Sequence, residues 1–225
     1  MKQIVITGAS SGIGAATARA LAHHELILVG RHAERLGRMA AETGGTAMIA
    51  DLNSESGIAA IVGTVGAEAN ERVLVNAAGI AHFGNSVEMP WERYADQLAI
   101  NLTAPLRLTH ALLPWLLGGT GQLINVLSIA ATHTFGGAAA YAASKAGLLA
   151  AGRSISAEYR TQGLRVTQVI PGATDTPIWE GGDFVPNRTD MLTADAVAKC
   201  IADLVDSPID RNIDEITIMP PKGIL

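Results

Sequence analysis

The sequence is poor in cysteine, in aromatic residues and in charge. Its one cysteine, Cys200, excludes intrachain disulfides and any metal site built from several cysteines. Aromatic residues make up 4% and charged residues 16% of the 225 residues, and the formal net charge is −5. Because this acidic chain offers no basic surface to a phosphate backbone, we expect no nucleic-acid partner. Apolar residues account for 48%, which is enough to build the core of one domain over residues 1–225.

Long hydrophobic runs are also missing. The nearest candidate for a membrane span, 104–117, contains Arg107, Thr109 and His110, so we expect no membrane partner. An apolar run starts directly after Met1 and Lys2, which leaves no room for a signal peptide and predicts a cytoplasmic protein. The six histidines show no pair at ligand spacing, and we therefore expect no metal site.

Seven short apolar runs alternate with segments of helical length. The runs are Gln3–Thr7, Leu26–Gly30, Thr46–Ala50, Arg72–Asn76, Gln122–Leu127, Arg165–Ile170 and Glu215–Met219. The helical segments are Ile13–His23, Ala33–Thr43, Ser54–Ala69, Trp91–Leu117, Tyr141–Thr161 and Thr193–Asp206. Near-continuous apolar character in the runs predicts strands that are covered on both faces. The alternation predicts an α/β protein with a three-layer αβα Rossmann fold and a doubly wound parallel sheet of about seven strands, whose ligands bind beyond the carboxyl ends of the strands.

A glycine-rich turn follows the first predicted strand and opens a helix. Gly8 permits a sharp turn, Gly12 lets the backbone approach a pyrophosphate, and Gly14 lets the helix pack close to the strand. The unpaired N–H groups of the helix N-terminus attract the same anion. A plain turn is the alternative, but the position after the first strand favours nucleotide binding. The candidate residues are Gly8, Ser10, Ser11, Gly12, Ile13 and Gly14.

The second predicted strand ends in a cation instead of an acid. A carboxylate at this point would accept hydrogen bonds from ribose hydroxyls, whereas Arg31 can donate two to a 2′-phosphate. NADP(H) is therefore the expected cofactor, with NAD(H) possible, unless Arg31 caps the next helix or lies in solvent. After the third strand we expect Asp51 and Leu52 at the adenine edge, although Asp51 could equally cap the helix that begins near Ser54.

A serine, a tyrosine and a lysine form the candidate catalytic group. Ser128 ends the fifth strand, and Tyr141 and Lys145 lie four residues apart, on one face of a helix. We expect the ammonium of Lys145 to lower the pKa of Tyr141 towards working pH. The phenol could then protonate a carbonyl oxygen as a hydride arrives, with Ser128 bonded to the same oxygen. Such a tyrosine–lysine pair is often only an exposed helical pair, but the serine and the glycine turn argue against coincidence.

These motifs resemble those of the short-chain dehydrogenase/reductase family in its compact single-domain form. The resemblance runs from Gln3 to about Met219. It implies that Tyr141 is the proton donor or acceptor, that Lys145 holds the nicotinamide ribose and that Ser128 positions the substrate oxygen. It also implies that Asn101, otherwise an ordinary asparagine within a helix, holds a water that extends the proton relay.

The resemblance extends to two further cofactor motifs. After the fourth strand, residues 76–79 match the family's NNAG motif, except that Ala77 replaces its second asparagine. After the sixth strand, a Pro-Gly segment would meet the nicotinamide carboxamide, with Ile170 and Thr176 as the expected contacts; without the family it is only a turn. The residues added in this way are Asn76, Ala77, Gly79, Tyr141, Lys145, Pro171, Gly172, Thr174 and Thr176.

Three further predictions concern a lid, two loops and subunit contact. Residues 177–193, with Trp179 and Phe184, are expected to form a lid that shields hydride transfer from water. Phe83 and Phe135 fall on loops that could border the pocket. The helices at 91–117 and 141–161 are apolar on more than one face, which predicts a homodimer or homotetramer built on them.

The predicted function is that of an NADP(H)-dependent oxidoreductase. It would interconvert a carbonyl group and an alcohol on a small molecule, with Tyr141 as general acid or base. One alternative is a catalytically silent dinucleotide-sensing or scaffold protein of the same fold. Another is an isomerase or dehydratase that uses the same tyrosine.

Overall fold

The computed structural model describes residues 1–180 and 185–225, in which strands alternate with helices. In chain order the strands are β1 (Gln3–Thr7), β2 (Glu25–Gly30), β3 (Thr46–Ile49), β4 (Glu71–Asn76), β5 (Thr120–Val126), β6 (Arg165–Pro171), β7 (Thr174–Asp175), β8 (Leu192–Thr193) and β9 (Glu215–Ile218). Seven of them form one parallel sheet in the order β3-β2-β1-β4-β5-β6-β9, and β7 pairs separately with β8. The chain reverses direction across the sheet between β1 and β4, where such sheets bind their ligands.

Helices cover both faces of this sheet and complete the predicted three-layer αβα arrangement. They are α1 (Gly12–Ala20), α2 (Ala33–Thr43), α3 (Glu55–Val62), α4 (Trp91–Leu98), α5 (Ala104–Leu117), α6 (Ala139–Tyr159) and α7 (Ala194–Asp206). One buried cluster joins α1, α2 and α7 to one face, and a second joins α3 and α5 to the other. Alternate residues of a strand serve opposite clusters: Ile4 and Ile6 enter the first, and Val5 enters the second. This explains why the strand sequences are largely apolar instead of alternating between apolar and polar residues.

Two predicted helices are shorter or less regular than the sequence indicates. The third ends at Val62 instead of Ala69, because the chain turns back to the sheet, where the N–H of Gly66 donates to Gln3 Oε1 at 2.7 Å. The fourth is interrupted by a π-helical turn, Ala99–Thr103, between α4 and α5. Among the described residues, no helix is both long enough and apolar enough to cross a membrane.

Part of the apolar surface that we assigned to subunit contact is covered within the chain. Leu102 and Leu106 pack against a buried cluster that contains Leu149 of α6. A Cβ atom at Gly147 would lie 3.0 Å from Leu102, so α6 lies directly against the π-helical turn. Elsewhere on α6, Ala150 and Ala157 are exposed.

Candidate active site

A cleft of about 960 Å³ opens at the carboxyl ends of the central strands. It is lined by most of the predicted site residues: Gly8, Ser10, Ser11, Gly12, Ile13, Arg31, Asp51, Leu52, Ala77, Gly79, Ser128, Tyr141, Lys145, Pro171, Gly172, Thr174 and Thr176. The glycine turn and the Tyr141–Lys145 pair therefore border one space, although they lie more than a hundred residues apart in the sequence. Four predicted residues, Gly14, Asn76, Asn101 and Ile170, lie behind this lining.

The glycine turn is shaped by backbone that only glycine tolerates well. Gly8 and Gly12 have φ values of +69° and +54°, in the left-handed region. A Cβ atom at Gly14 would lie 2.4 Å from the carbonyl oxygen of Gly8, so Gly14 acts by letting α1 pack on the turn. Ser11 precedes α1 without a side-chain cap, which leaves N–H groups of the first helical turn facing the cleft.

A threonine links the glycine turn to the end of β4. The hydroxyl oxygen of Thr7 accepts hydrogen bonds from the backbone N–H groups of Ala77 and Ala78, each at 3.1 Å. The contact at Ala77 uses the backbone, so replacement of the family's second asparagine by alanine leaves it intact.

Basic side chains gather where β2 ends. Arg31, His32 and Arg35 line this part of the cleft. Within residues 1–180 and 185–225, no carboxylate forms an ion pair with Arg31 or Arg35, so both guanidinium groups are free to bind an anion. Arg35 is not among the residues predicted from the sequence; the signal that could have found it is its position in the first turn of α2, four residues after Arg31.

Asp51 lies at the cleft and does not cap the following helix. Its carboxylate accepts a hydrogen bond from the N–H of Asn53 at 3.0 Å. The cap of α3 is Ser54, whose hydroxyl accepts from the N–H of Gly57 at 2.9 Å. The alternative interpretation of Asp51 as a helix cap is therefore wrong.

Strand β5 and helix α6 bring the candidate catalytic group together. Ser128 follows β5, is half-buried, and accepts a hydrogen bond from the N–H of Ala130 at 3.1 Å. Tyr141 lies in the first turn of α6, with Lys145 one turn later. The Nζ atom of Lys145 lies 5.9 Å from the centre of the Tyr141 ring and donates to the carbonyl oxygen of Val126 at 2.9 Å. The two side chains thus face the same space.

Burial controls the protonation of this pair. It raises the pKa of Tyr141, an effect that a hydrogen bond from Ser128 opposes. It lowers the pKa of Lys145 to about 8. The expectation that Lys145 lowers the pKa of Tyr141 is therefore wrong for the protein chain by itself, because desolvation outweighs the other contributions. A tyrosine in this state keeps its proton at neutral pH and can donate it.

Asn101 holds the site together from behind. It lies in the π-helical turn, fully buried, and its Oδ1 accepts from the N–H of Ile80 at 2.9 Å. Its Nδ2 donates to the carbonyl of Ile80 at 2.8 Å and to the hydroxyl of Ser144 at 3.2 Å. Because both N–H groups of the amide are used within the chain, the side chain acts here as a clamp between the β4 loop and α6 and has no N–H left for a water.

Two residues expected at the cofactor belong to the interior. The Nδ2 atom of Asn76 donates to Asn125 at 3.0 Å and to Thr109 at 3.1 Å, so this side chain joins β4 to β5 and α5. Ile170 packs in a buried cluster with Leu127 and Leu148. The side chains of Asn76 and Ile170 therefore serve the interior, and contact of either residue with the cofactor stays a prediction.

The predicted lid begins and ends on a small sheet of its own. Strands β7 and β8 pair in parallel, with Thr174 opposite Leu192, and so join the two ends of 177–193. Ile178, Trp179 and Pro186 of this segment line the cleft. Phe184 lies at 181–184, outside the described residues.

A cluster of the metal-ligand type lies outside the residues that line the cleft. Nε2 of His24 lies 2.8 Å from one carboxylate oxygen of Asp206, and Nε2 of His23 lies 3.3 Å from the other. The Nδ1 atom of His24 accepts from the N–H of Lys2 at 3.4 Å, which assigns the proton of a neutral ring to Nε2, facing Asp206. The cluster is thus a hydrogen-bonded group, which histidine spacing alone could not indicate because Asp206 is 182 residues from His24.

Fold and site together define a dinucleotide-binding αβα protein with a Ser–Tyr–Lys group at the point where strand order reverses. Over residues 2–183 the sequence matches the short chain dehydrogenase family, and the chain belongs to that family. It is accordingly an oxidoreductase that binds a nicotinamide dinucleotide.

Relatives across the whole chain agree with this assignment. An uncharacterized oxidoreductase of Staphylococcus epidermidis is 32% identical, with 97% of each chain covered. A serine 3-dehydrogenase of Rhizobium radiobacter is 31% identical over 96% of this chain and 93% of the relative. A metagenomic short-chain oxidoreductase solved in complex with NADP is 31% identical, with 97% of each chain covered and a TM-score of 0.83.

Proposed function

We propose that the protein interconverts a ketone or aldehyde and the corresponding alcohol with NADP(H), using Tyr141 as the general acid or base. The observation that carries this proposal is the position of Ser128, Tyr141 and Lys145 on the cleft that the glycine turn opens. A protein that only binds a dinucleotide has no need of a buried phenol beside a buried amine at that place.

The residues of the cleft fit a bound dinucleotide. The left-handed Gly8 and Gly12 and the uncapped N-terminus of α1 would hold the pyrophosphate. A side chain at Gly12 would lie 3.3 Å from Thr176, so glycine keeps this part of the cleft open. By family resemblance, Lys145 would hold the nicotinamide ribose, and Thr176 the carboxamide. When bound, the cofactor supplies or accepts the hydride.

The protein's own part in the reaction is to hold and transfer a proton. In the reductive direction the Oη atom of Tyr141 donates its proton to the carbonyl oxygen, and the hydroxyl of Ser128 donates a hydrogen bond to the same oxygen. The ammonium of Lys145 stabilises the phenolate that forms. In the oxidative direction the same atoms act in reverse.

The preference for NADP(H) over NAD(H) rests on charge. Arg31 and Arg35 present two guanidinium groups at the end of β2, where an acidic residue would repel a 2′-phosphate. The relative solved with NADP supports this choice. We also propose that residues 177–193 close over the substrate, and that copies associate as a homodimer or homotetramer through 91–117 and 141–161.

Turnover tests the proposed function. Neutral ketones and aldehydes are offered to the protein with NADPH, and loss of absorbance at the nicotinamide band is followed together with alcohol product. We expect stoichiometric NADPH oxidation and alcohol formation. Tight NADPH binding without turnover of any carbonyl would favour the sensor or scaffold alternative. Substrate conversion without net cofactor oxidation would favour an isomerase or dehydratase.

A further inference from the structure

An aromatic wall stands beside the candidate catalytic phenol. Phe83 stacks on Trp179 with ring centres 5.4 Å apart and planes 17° apart, and it meets Tyr141 edge to face at 5.7 Å. The indole N–H of Trp179 donates to the carbonyl oxygen of Thr174 at 2.8 Å, which satisfies its only polar atom. Both rings are half-buried and line the cleft. A carbonyl group within reach of Tyr141 therefore has two apolar aromatic rings next to it.

The Phe83 side of the wall is held in place by hydrogen bonds within the chain. Phe83 belongs to the loop after β4, and two buried amides one helical turn apart fix that loop. Asn101 bonds the backbone of Ile80, and the Oε1 atom of Gln97 accepts from the N–H of His82 at 2.9 Å. Gln97 is fully buried. Because the loop that carries Phe83 is already ordered, little conformational entropy is lost when a substrate binds. More of the free energy of contact between an apolar group and Phe83 therefore appears as affinity.

Basic groups are concentrated at the other end of the cleft. Arg31 and Arg35 lie at the end of β2, and Lys145 is committed to the catalytic pair. Apart from His82, no other basic side chain is found among the described residues that line the cleft beside Tyr141. Among the described residues of this region, a substrate carboxylate would meet the carboxylate of Glu180 and no guanidinium group.

We infer that the substrate is a neutral carbonyl compound, or its alcohol, that carries an aryl or similarly flat apolar group lying on the Phe83–Trp179 wall. The carbonyl carbon receives a hydride from NADPH, which becomes NADP⁺, and the oxygen receives the proton of Tyr141. The inference rests on the proposed function for this chemistry. It separates the chain from its relative named serine 3-dehydrogenase, because serine carries a carboxylate and an ammonium group.

Matched substrates test this inference in the wild-type protein with NADPH. Aryl methyl ketones are compared with alkyl methyl ketones and with aryl oxo acids of similar size. We expect kcat/KM for the aryl ketone to exceed that for the oxo acid by at least about tenfold, since a buried unpaired carboxylate is costly. Equal or better use of oxo acids would overturn the inference, while the carbonyl chemistry itself would stand.

Substitutions test whether Phe83 and Trp179 cause the preference for aryl over alkyl ketones. Phe83→Ala and Trp179→Ala should each lower the aryl-to-alkyl ratio of kcat/KM by about tenfold, because the contact surface is lost. Trp91→Ala is the matched control, since Trp91 is an exposed tryptophan on α4 that stacks on Tyr94. Phe83→Leu keeps an apolar side chain and serves if Phe83→Ala does not fold. An unchanged ratio in the folded wall variants would contradict the inference.

A binding measurement separates this inference from the proposed function. In Tyr141→Phe loaded with NADP⁺, an aryl methyl ketone should quench tryptophan fluorescence, and Trp179→Phe in the same background should remove the quenching. Quenching combined with a wild-type protein that never turns over would reject the proposed function and keep the wall as a binding surface. Turnover by the wild type without quenching would reject the wall.

Discussion

The two ends of the cleft differ in how far their ionisable side chains are exposed to solvent. At the end formed by β5 and α6, Tyr141 and Lys145 are 8% and 5% exposed, and burial displaces the pKa of each. At the end formed by β2 and α2, Arg31 and Arg35 are exposed, and within the described chain neither is paired with a carboxylate.

This difference separates two tasks. Proton transfer needs groups whose protonation is set by desolvation, because the proton must move at neutral pH. Discrimination between NADP(H) and NAD(H) needs only positive charge at the position that the 2′-phosphate would occupy. Substitutions at the buried end should therefore change rates, and substitutions at the exposed end should change which cofactor binds.

The largest effect on cofactor binding is expected at Gly14, because the position of the whole glycine turn depends on it. In Gly14→Ala the new Cβ would lie 2.4 Å from the Gly8 carbonyl oxygen, which would displace the turn. Binding of NADPH and NADH should both weaken by about a hundredfold, or about 2.7 kcal/mol, because the helix N-terminus loses its place. Fluorescence titration with each cofactor measures this.

Gly37→Ala in α2 is the matched control. A Cβ atom there has no neighbour within 4 Å, so cofactor binding should not change. The helix should gain up to about 1 kcal/mol of stability from the better propensity of alanine. If Gly14→Ala binds both cofactors as the control does, the packing role of Gly14 is wrong.

The exposed end is tested by reversing its charge. Arg31→Asp should weaken NADPH binding by more than about tenfold and leave NADH binding within about threefold, because only NADPH carries the 2′-phosphate. Arg35→Ala should act in the same direction with a smaller effect, since Arg31 remains. Dissociation constants for both cofactors decide the matter. Equal losses for the two cofactors would show that neither arginine touches the 2′-phosphate.

The buried end predicts a pH dependence. Lys145 loses its proton as pH rises through about 8, so stabilisation of the Tyr141 phenolate disappears above that value. Carbonyl reduction measured as kcat/KM should fall above about pH 8, by up to about tenfold per pH unit. Lys145→Arg keeps its charge and should move this limb to higher pH. If kcat/KM of Lys145→Arg falls at the same pH as that of the wild type, the titrating group is not Lys145.

The smallest predicted effect is on stability. The pKa of Lys145 is about 8 in the folded chain, against 10.5 as its ordinary value. Between about pH 8 and pH 10.5 the unfolded chain therefore binds more protons than the folded chain, so the free energy of unfolding should rise with pH across this window. Below about pH 8 the folded protein bears the full free-energy cost of burying the charged Lys145. Lys145→Met should stabilise the protein at pH 7 by about 1–2 kcal/mol, the burial cost less one hydrogen bond. Urea unfolding at pH 7 and pH 10 measures it. A destabilised Lys145→Met at pH 7 would contradict the assigned burial cost.

The features that could be predicted from the sequence are local or periodic. The strands of the main sheet were predicted to within two residues because the central strands are buried on both faces and most of the runs are largely apolar. Ser128, Tyr141 and Lys145 were predicted from a strand end and a four-residue spacing. Both signals lie within short stretches of chain.

The features that could not be predicted depend on contacts between distant segments. The π-helical turn places Asn101 against Ile80, and nothing within residues 91–117 indicates it. Whether the pKa of Tyr141 is raised or lowered depends on how deeply the folded chain buries the ring. The stacking of Phe83 on Trp179 joins segments that are almost a hundred residues apart.

The role of Tyr141 is tested most directly by single-turnover hydride transfer in Tyr141→Phe. NADPH is bound first, its affinity is read from nicotinamide fluorescence, and a carbonyl substrate is then added in a stopped-flow instrument. We predict NADPH affinity within about threefold of wild type and a hydride-transfer rate lower by about a thousandfold, because only the proton donor is lost. Hydride transfer within about tenfold of the wild-type rate would contradict the account.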